Sequence, residues 1–279
     1  MGHLGWRGGS DPGYSAGPYS LNASTSSNGA RIDDDIALMA TFHRIRDFWA
    51  ERFASLSFMI FISNLQIGMD TNVPGFDDLA WEGTPNGRVF ASNLVVTCEG
   101  FFNEPHTDFD HTRYAFGFNC LIDRVTGELH EANGPSNKGT IVGSMFIMRD
   151  FDIIVDYDGC DGIYESIWDT TMSHYTAESL CFDEEGDEIC PKKCAITRFG
   201  SSAQVAQTLV ERIRLVEKSK DDMTPAQWED YRKRKVKSYE AETSFKHARN
   251  IANAALCAER AKLKREAKVA ALFKAPKKT

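Results

Sequence analysis

The stretch Phe102-Asn103-Glu104-Pro105-His106-Thr107-Asp108-Phe109-Asp110-His111 decides how the middle of this chain is read. Pro105 biases its neighbourhood toward extended backbone and interrupts any helix. On an extended segment, residues two apart share a face and lie roughly 6.6 Å apart. His106 and Asp108 can therefore converge on one metal. Asp110 and His111 compete for the role, but as neighbours on an extended segment they point to opposite faces. A lone His-x-Asp pair is a weak signal, since two solvent-facing residues meet this spacing by chance.

Two residues further along strengthen it. His174, in Ile167-Trp168-Asp169-Thr170-Thr171-Met172-Ser173-His174-Tyr175-Thr176, follows two predicted strands, as a distal ligand should. Arg198, between Thr197 and Phe199, closes the last predicted strand. Two imidazoles, one carboxylate and open positions form the donor set of a non-haem Fe(II) oxygenase. The planar fork of an Arg suits the carboxylate of a dicarboxylate co-substrate. Each residue has a plainer reading. His174 can be a hydrogen-bonded loop histidine, and Arg198 can pair with a protein acid.

Strands are predicted over Val89–Cys98, Tyr114–Ile122, Ser144–Met148, Asp152–Tyr157, Ile163–Trp168 and Lys193–Phe199. Gly-containing turns at Thr126-Gly127, Asn133-Gly134, Asp158-Gly159, Asp161-Gly162 and Glu185-Gly186 punctuate them. Many short strands so spaced predict a jelly roll. Ahead of them, Asp33 to Asp35 offer first-turn acids for a helix with its stripe at Ile36, Met39, Phe42, Ile45, Phe48 and Trp49. Ala203 to Leu215 reads as a helix closing the core. Thr224-Pro225 reads as the N-cap and first position of another, and Ile251–Phe273 as a third, rich in helix formers. The expected organisation is an irregular lead-in over residues 1–31, a domain over 32–216 and a basic helical extension over 217–279.

Composition sets outer limits. The chain has 279 residues, 42% of them hydrophobic and 11% aromatic, enough for a sizeable core. No apolar run approaches the roughly 18 residues of a membrane span. The N-terminus lacks an apolar signal core, so the chain reads as intracellular, its seven Cys as reduced thiols, and the glycosylation pattern Asn22-Ala23-Ser24 as coincidence. The net charge of −8 hides a split. From Glu217 to Thr279 there are 17 Lys and Arg against 9 Asp and Glu, a net of +8, while the remainder nets −16. A basic tail of this kind predicts an anionic partner. Tyr231-Arg232-Lys233-Arg234-Lys235-Val236-Lys237 reads either as a nuclear import signal or phosphate patch, or as a solvated helix face. Cys181, Cys190 and Cys194, with His174, offer a zinc alternative, but their spacing is loose and no CxxC is present. His3, His43, His130 and His247 are discounted as ligands because of where they fall.

Taken together, these blocks resemble a known family. Pro105 through Gly117, Asp161 through Thr170 leading to His174, and Thr197 through Gln204 are similar, in order, to the fungal Tet-like Fe(II)/2-oxoglutarate dioxygenases of the TET/JBP superfamily. Gly5-Trp6-Arg7 and Gly17-Pro18-Tyr19 resemble a lead-in found upstream in that family. The resemblance implies an α+β fold with a double-stranded β-helix (jelly-roll, cupin-like) core between N-terminal and C-terminal helices. It implies Fe(II) on His106, Asp108 and His174, with 2-oxoglutarate on Arg198. Relatives often carry Ser two residues after that Arg; here the place is Gly200, so Ser201 or Ser202 is expected to substitute. By analogy the substrate is 5-methylcytosine in DNA, oxidised to 5-hydroxymethylcytosine and further, with O2 as co-substrate and a nuclear location. Asn103, Asp110, Arg113 and Tyr175, near the ligands, are the expected substrate contacts. The same chemistry on another methylated base, RNA or protein, or a catalytically silent nucleic-acid-binding module, are the alternatives.

Overall fold

The computed structural model describes residues 1–9, 11–19, 30–130, 139–158 and 161–274. The Asn133-Gly134 turn, Gly159 and the Asn22-Ala23-Ser24 pattern lie outside them. The N-terminal residues form strands β1 (Gly2–Gly8) and β2 (Ala16–Pro18), where an irregular lead-in is expected. Glycine here signals close backbone approach. Gly5 has φ +89°, and a Cβ on it would lie 2.4 Å from the carbonyl oxygen of Ser92. That approach lets Trp6 bury completely and donate its indole N–H to the Asp78 carbonyl at 3.1 Å.

Three helices follow: α1 (Ala30–Ala40), α2 (Phe42–Leu56) and α3 (Phe58–Thr71). The single expected stripe splits where Thr41 turns its hydroxyl onto the Leu38 carbonyl at 2.7 Å. Met39, Phe42 and Trp49 are buried, but Ile45 and Phe48 face solvent. Nine short strands come next: β3 (Asn93–Thr97), β4 (Tyr114–Asp123), β5 (Thr140–Val142), β6 (Met145–Met148), β7 (Ile153–Asp156), β8 (Ile163–Asp169), β9 (Tyr175–Thr176), β10 (Leu180–Phe182) and β11 (Glu188–Ile189). The last strand, β12 (Ile196–Gln204), runs to Gln204, five residues beyond the expected end. Ala203 belongs to this strand rather than to the following helix. Its ladder to Leu94 and Phe116 and its complete burial override its helix propensity.

The chain is thus mixed α and β, with antiparallel sheets. The largest has the order β2-β1-β3-β12-β4-β8; two smaller ones run β11-β10-β5 and β7-β6-β9. Side chains on β12 alternate between two environments. Ala203 faces α2 and α3, where Trp49, Phe53, Phe90, Leu94 and Phe116 form one core. Phe53 stacks on Phe116 with ring centroids 4.9 Å apart. Arg198, Gly200, Ser202 and Gln204 take the opposite face.

Helices α4 (Gln207–Glu217), α5 (Pro225–Lys235) and α6 (Tyr239–Lys274) complete the chain. Thr224 caps α5 as expected, in a reciprocal box with Gln227, worth about 1 kcal/mol. α4 and α5 bury Leu209, Val210, Ile213 and Trp228 against Trp6 and Trp81. The start of α6 is tied to the N-terminal hairpin: buried Lys237 bonds Glu242 at 2.9 Å and Asp11 at 2.8 Å, and Arg7 reaches Glu242 at 3.2 Å. From Ile251 to Lys268 the side chains of α6 face solvent. Among the described residues no helix is long and apolar enough to cross a membrane.

Candidate metal centre and its cavity

The segment Asn103–Arg113 lies extended against the end of β8 and the residues after it, outside any named strand. His106 and His174 pair through both backbone hydrogen bonds, 3.1 and 2.9 Å. Asp108 donates its N–H to the Thr170 carbonyl at 2.9 Å. Thr170 in turn bonds the Thr112 and Arg113 carbonyls through its hydroxyl. Asn103 closes the far end: its side-chain oxygen accepts the Thr176 N–H at 2.7 Å. Backbone pairing, rather than side-chain packing, therefore sets the height of each candidate ligand.

The three side chains meet. The Nε2 atoms of His106 and His174 lie 3.4 and 3.3 Å from the two oxygens of Asp108. One donor atom from each lies within 4.8 Å of the others, and among the described residues no other group of three His, Cys, Asp or Glu does this. Both imidazoles are oriented from behind. Nδ1 of His106 faces the Glu104 carbonyl and Nδ1 of His174 the Met172 carbonyl, each at 2.9 Å. A proton on each Nδ1 leaves both Nε2 lone pairs aimed at the centre, as a metal ligand requires.

Charge follows the same geometry. Burial pushes the Asp108 carboxyl up, but the hydrogen bond and charge of His174, with the charge of His106, outweigh it and hold its pKa below the usual range. Burial pushes His174 down, yet Asp108 and the Met172 carbonyl hold it above the ordinary imidazole value. Asp110 is different: burial, then the charge of Asp108, raise it to about 8. His111 turns away and bonds Gln207 at 2.7 Å.

The triad opens into a cavity of about 430 Å³, the size of a small-molecule site. Phe146 and Trp168 wall it beside His174, with ring centroids 5.3 and 6.0 Å from that imidazole. The buried indole N–H of Trp168 makes no hydrogen bond among the described residues, yet it lies close enough to Asp108 to help lower its pKa. Thr97, Asn119, Gly200 and Gln204 line the sheet side.

Arg198 is 2% exposed and does not itself line the cavity. Its guanidinium donates to the carbonyls of Ala177 (3.5 Å) and Phe101, and Phe101 does line the cavity. Among the described residues no carboxylate pairs with it. Asp158, whose charge reaches it, is taken up by the N–H groups of Gly143 and Ser144. Burial depresses the guanidinium's pKa. A model matching residues 1–179 describes the Tet-like 2OG-Fe(II) oxygenase superfamily.

The chain belongs to the Tet-like 2OG-Fe(II) oxygenase superfamily.

No curated protein matches it. As a Tet-like oxygenase it is an oxidoreductase that uses Fe(II), 2-oxoglutarate and O2. The donor set suits that metal: two neutral nitrogens, one carboxylate and room on the cavity side.

Other sequence-derived expectations fare unevenly. Ser202 borders the cavity; Ser201 does too, but its hydroxyl is committed to the Val95 carbonyl at 2.8 Å. Of the four expected substrate contacts only Asn103 lines the cavity. Arg113 points to solvent and bonds Asp169 at 2.8 Å. Tyr175, on β9, pairs with Ile147 of β6, and Asp110, bridged to Ala206, keeps a buried oxygen with no hydrogen bond among the described residues. His3, set aside on sequence position, lines the cavity because β1 joins the sheet. The zinc alternative fails: Cys190 is exposed, Cys181 and Cys194 sit in an apolar cluster with Leu121 and Ile196, and His174 is engaged with Asp108. Of the basic cluster, Arg232 and Lys237 are buried in ion pairs, and Lys233 and Arg234 pair with acids one turn back. Asn119, Phe146, Trp168 and Thr97 were missed. Period-two alternation from Arg198, combined with strand register, would have found Thr97 and Asn119.

Proposed function

We propose that this oxygenase holds Fe(II) on His106, Asp108 and His174, binds 2-oxoglutarate toward Arg198, and oxidises 5-methylcytosine in DNA to 5-hydroxymethylcytosine and further. One observation carries the metal assignment: two Nε2 atoms, each oriented by a backbone carbonyl, and one carboxylate meet at the mouth of a cavity large enough for a co-substrate and a base. His106, Asp108 and His174 would hold the iron, and the metal with 2-oxoglutarate would supply the activation of O2. The chain's own part is positioning. Asp108 holds both imidazoles, Phe146 and Trp168 exclude water beside His174, and the buried Arg198, which pairs with no carboxylate among the described residues, would take the carboxylate of the co-substrate.

The flat walls of Phe146 and Trp168 suit a planar base turned out of the duplex. The exposed basic face of α6 suits phosphates, making binding salt-sensitive. The antiparallel sheets suit a closed double-stranded β-helix, and a chromosomal DNA substrate carries a nuclear location with it.

Incubating the protein with methylated duplex DNA, Fe(II) and 2-oxoglutarate, then analysing nucleosides by mass spectrometry, tests this. Hydroxymethylcytosine matched by succinate is expected. Succinate release driven only by RNA, an N-methylated base or a protein keeps the chemistry and moves the substrate. No succinate with any of them leaves a silent nucleic-acid-binding module.

A further inference from the structure

We propose that the outer face of α3, continued along α2, is where two copies of this chain meet about a two-fold axis.

α3 reads Phe58-Met59-Ile60-Phe61-Ile62-Ser63-Asn64-Leu65-Gln66-Ile67-Gly68-Met69-Asp70-Thr71, with one charged residue in its 14. A helix apolar on all sides is normally covered on all sides. The inner face is accounted for. Ile60, Phe61 and Leu65 pack on the core built by Phe53 and Phe116. Asn64 donates its side-chain N–H to the Tyr114 carbonyl at 3.0 Å. Gly68 brings the helix so close to β-strand-side residue Val89 that a Cβ would overlap its carbonyl oxygen. Asn64, Gly68 and Thr71 are thus buried, the reverse of the usual arrangement.

The large apolar residues point outward. Phe58 (62% exposed), Met59 (75%), Ile62 and Met69 form one stripe at helical spacing. Gln66 lies in the same stripe and donates to Asp70 at 2.8 Å, which engages the helix's one charge. Leu56 adjoins the stripe across Ser57, and Ile45 and Phe48 extend apolar surface along α2. At about 200 Å² for a whole side chain of this size, the exposed parts come to roughly 700 Å². The largest apolar patch of a soluble monomer is usually about 300–600 Å². Two such faces come to about 1,400 Å², within the range of about 1,200–2,000 Å² that a stable interface buries.

Charge selects the partner. A two-fold interface sets a patch against itself, so net charge on it would repel. This patch is neutral: Arg52, beside it on α2, is held by Glu165 through two bonds of 2.6 Å. With the axis across α3 the two helices run antiparallel, which also opposes their dipoles favourably. An anionic membrane fits less well. Residues 1–216 carry 15 Lys and Arg against 31 Asp and Glu, and α3 has no basic residue. Because α2 and α3 cover the sheet face opposite the cavity, a partner here leaves the cavity open.

Light scattering after size-exclusion chromatography of the full chain tests this. The wild type should run at twice the chain mass of 31.2 kDa. Met59→Glu and Ile62→Glu replace side chains already exposed, so both should keep the wild-type circular dichroism. Each should raise the dimer dissociation constant at least about hundredfold, because it buries an unpaired charge in both copies. Leu263→Glu, on the solvent-facing half of α6, should stay dimeric. A monomeric wild type at every concentration up to about 100 µM would overturn the proposal. So would a dimer that survives both α3 variants or that Leu263→Glu dissociates. A monomer that sediments with phosphatidylglycerol vesicles, and fails to as Met59→Glu, would assign the face to a lipid surface instead.

Discussion

Asp108 lies between two imidazoles, and each imidazole is oriented by a backbone carbonyl behind it. The Glu104 and Met172 carbonyls are backbone groups two residues before each His, so the segment that supplies an imidazole also aims it. This was legible in the sequence only as a spacing. His106, Asp108 and His174 were readable because two-residue periodicity and chain order are properties of sequence. The carbonyl partners were not, since they depend on a local backbone turn. A second residue-scale consequence lies away from the site. Burial raises the Asp78 carboxyl to about 6, although its oxygen accepts the Gly75 N–H at 2.7 Å. The folded state then holds a proton that the unfolded state has released between about pH 4 and 6. Stability should fall as pH rises through that window and level off above it. Asp78→Asn should flatten the slope and stabilise the fold above pH 6, as read by urea unfolding at a series of pH values; an unchanged slope would assign it to other groups.

At the scale of elements, the sheet does the sorting. β12 presents Ala203 to the helices and Gly200, Ser202 and Gln204 to the cavity, so one strand contributes to both the core and the cavity wall. Strand positions were broadly legible from β-branched and aromatic runs bounded by Gly turns. The N-terminal hairpin was not, because its glycines resemble a flexible arm until Gly5 is seen against Ser92. Nor was the break at Thr41, which follows from one hydroxyl bonding back to Leu38. Phe53 fixes the helix layer to the sheet through Phe116 and Phe90. Phe53→Ala should cost about 3–5 kcal/mol in chemical denaturation. A loss well under 1 kcal/mol would mean that α2 docks through other contacts.

For the whole molecule, charge and packing part company along α6. Its first turns close an ion cluster with the N-terminal hairpin through Lys237 and Glu242, and Tyr239 is buried. Its later turns carry basic residues into solvent. The composition showed the basic tail but not that its root is structural. A chain ending at Arg249 should keep its thermal midpoint within about 2 °C, while one ending at Asp222 loses Trp228, Val236 and Tyr239 and should no longer unfold cooperatively. Equal midpoints for the two would remove α5 and the root of α6 from the core. The central claim, that three side chains from two distant segments hold one metal ion, is tested most directly by titrating Mn(II) and following the free ion by electron paramagnetic resonance. The wild type should bind one ion per chain, and folded His106→Ala, Asp108→Ala and His174→Ala should each lose that binding. Unchanged stoichiometry and affinity in all three variants would contradict the account.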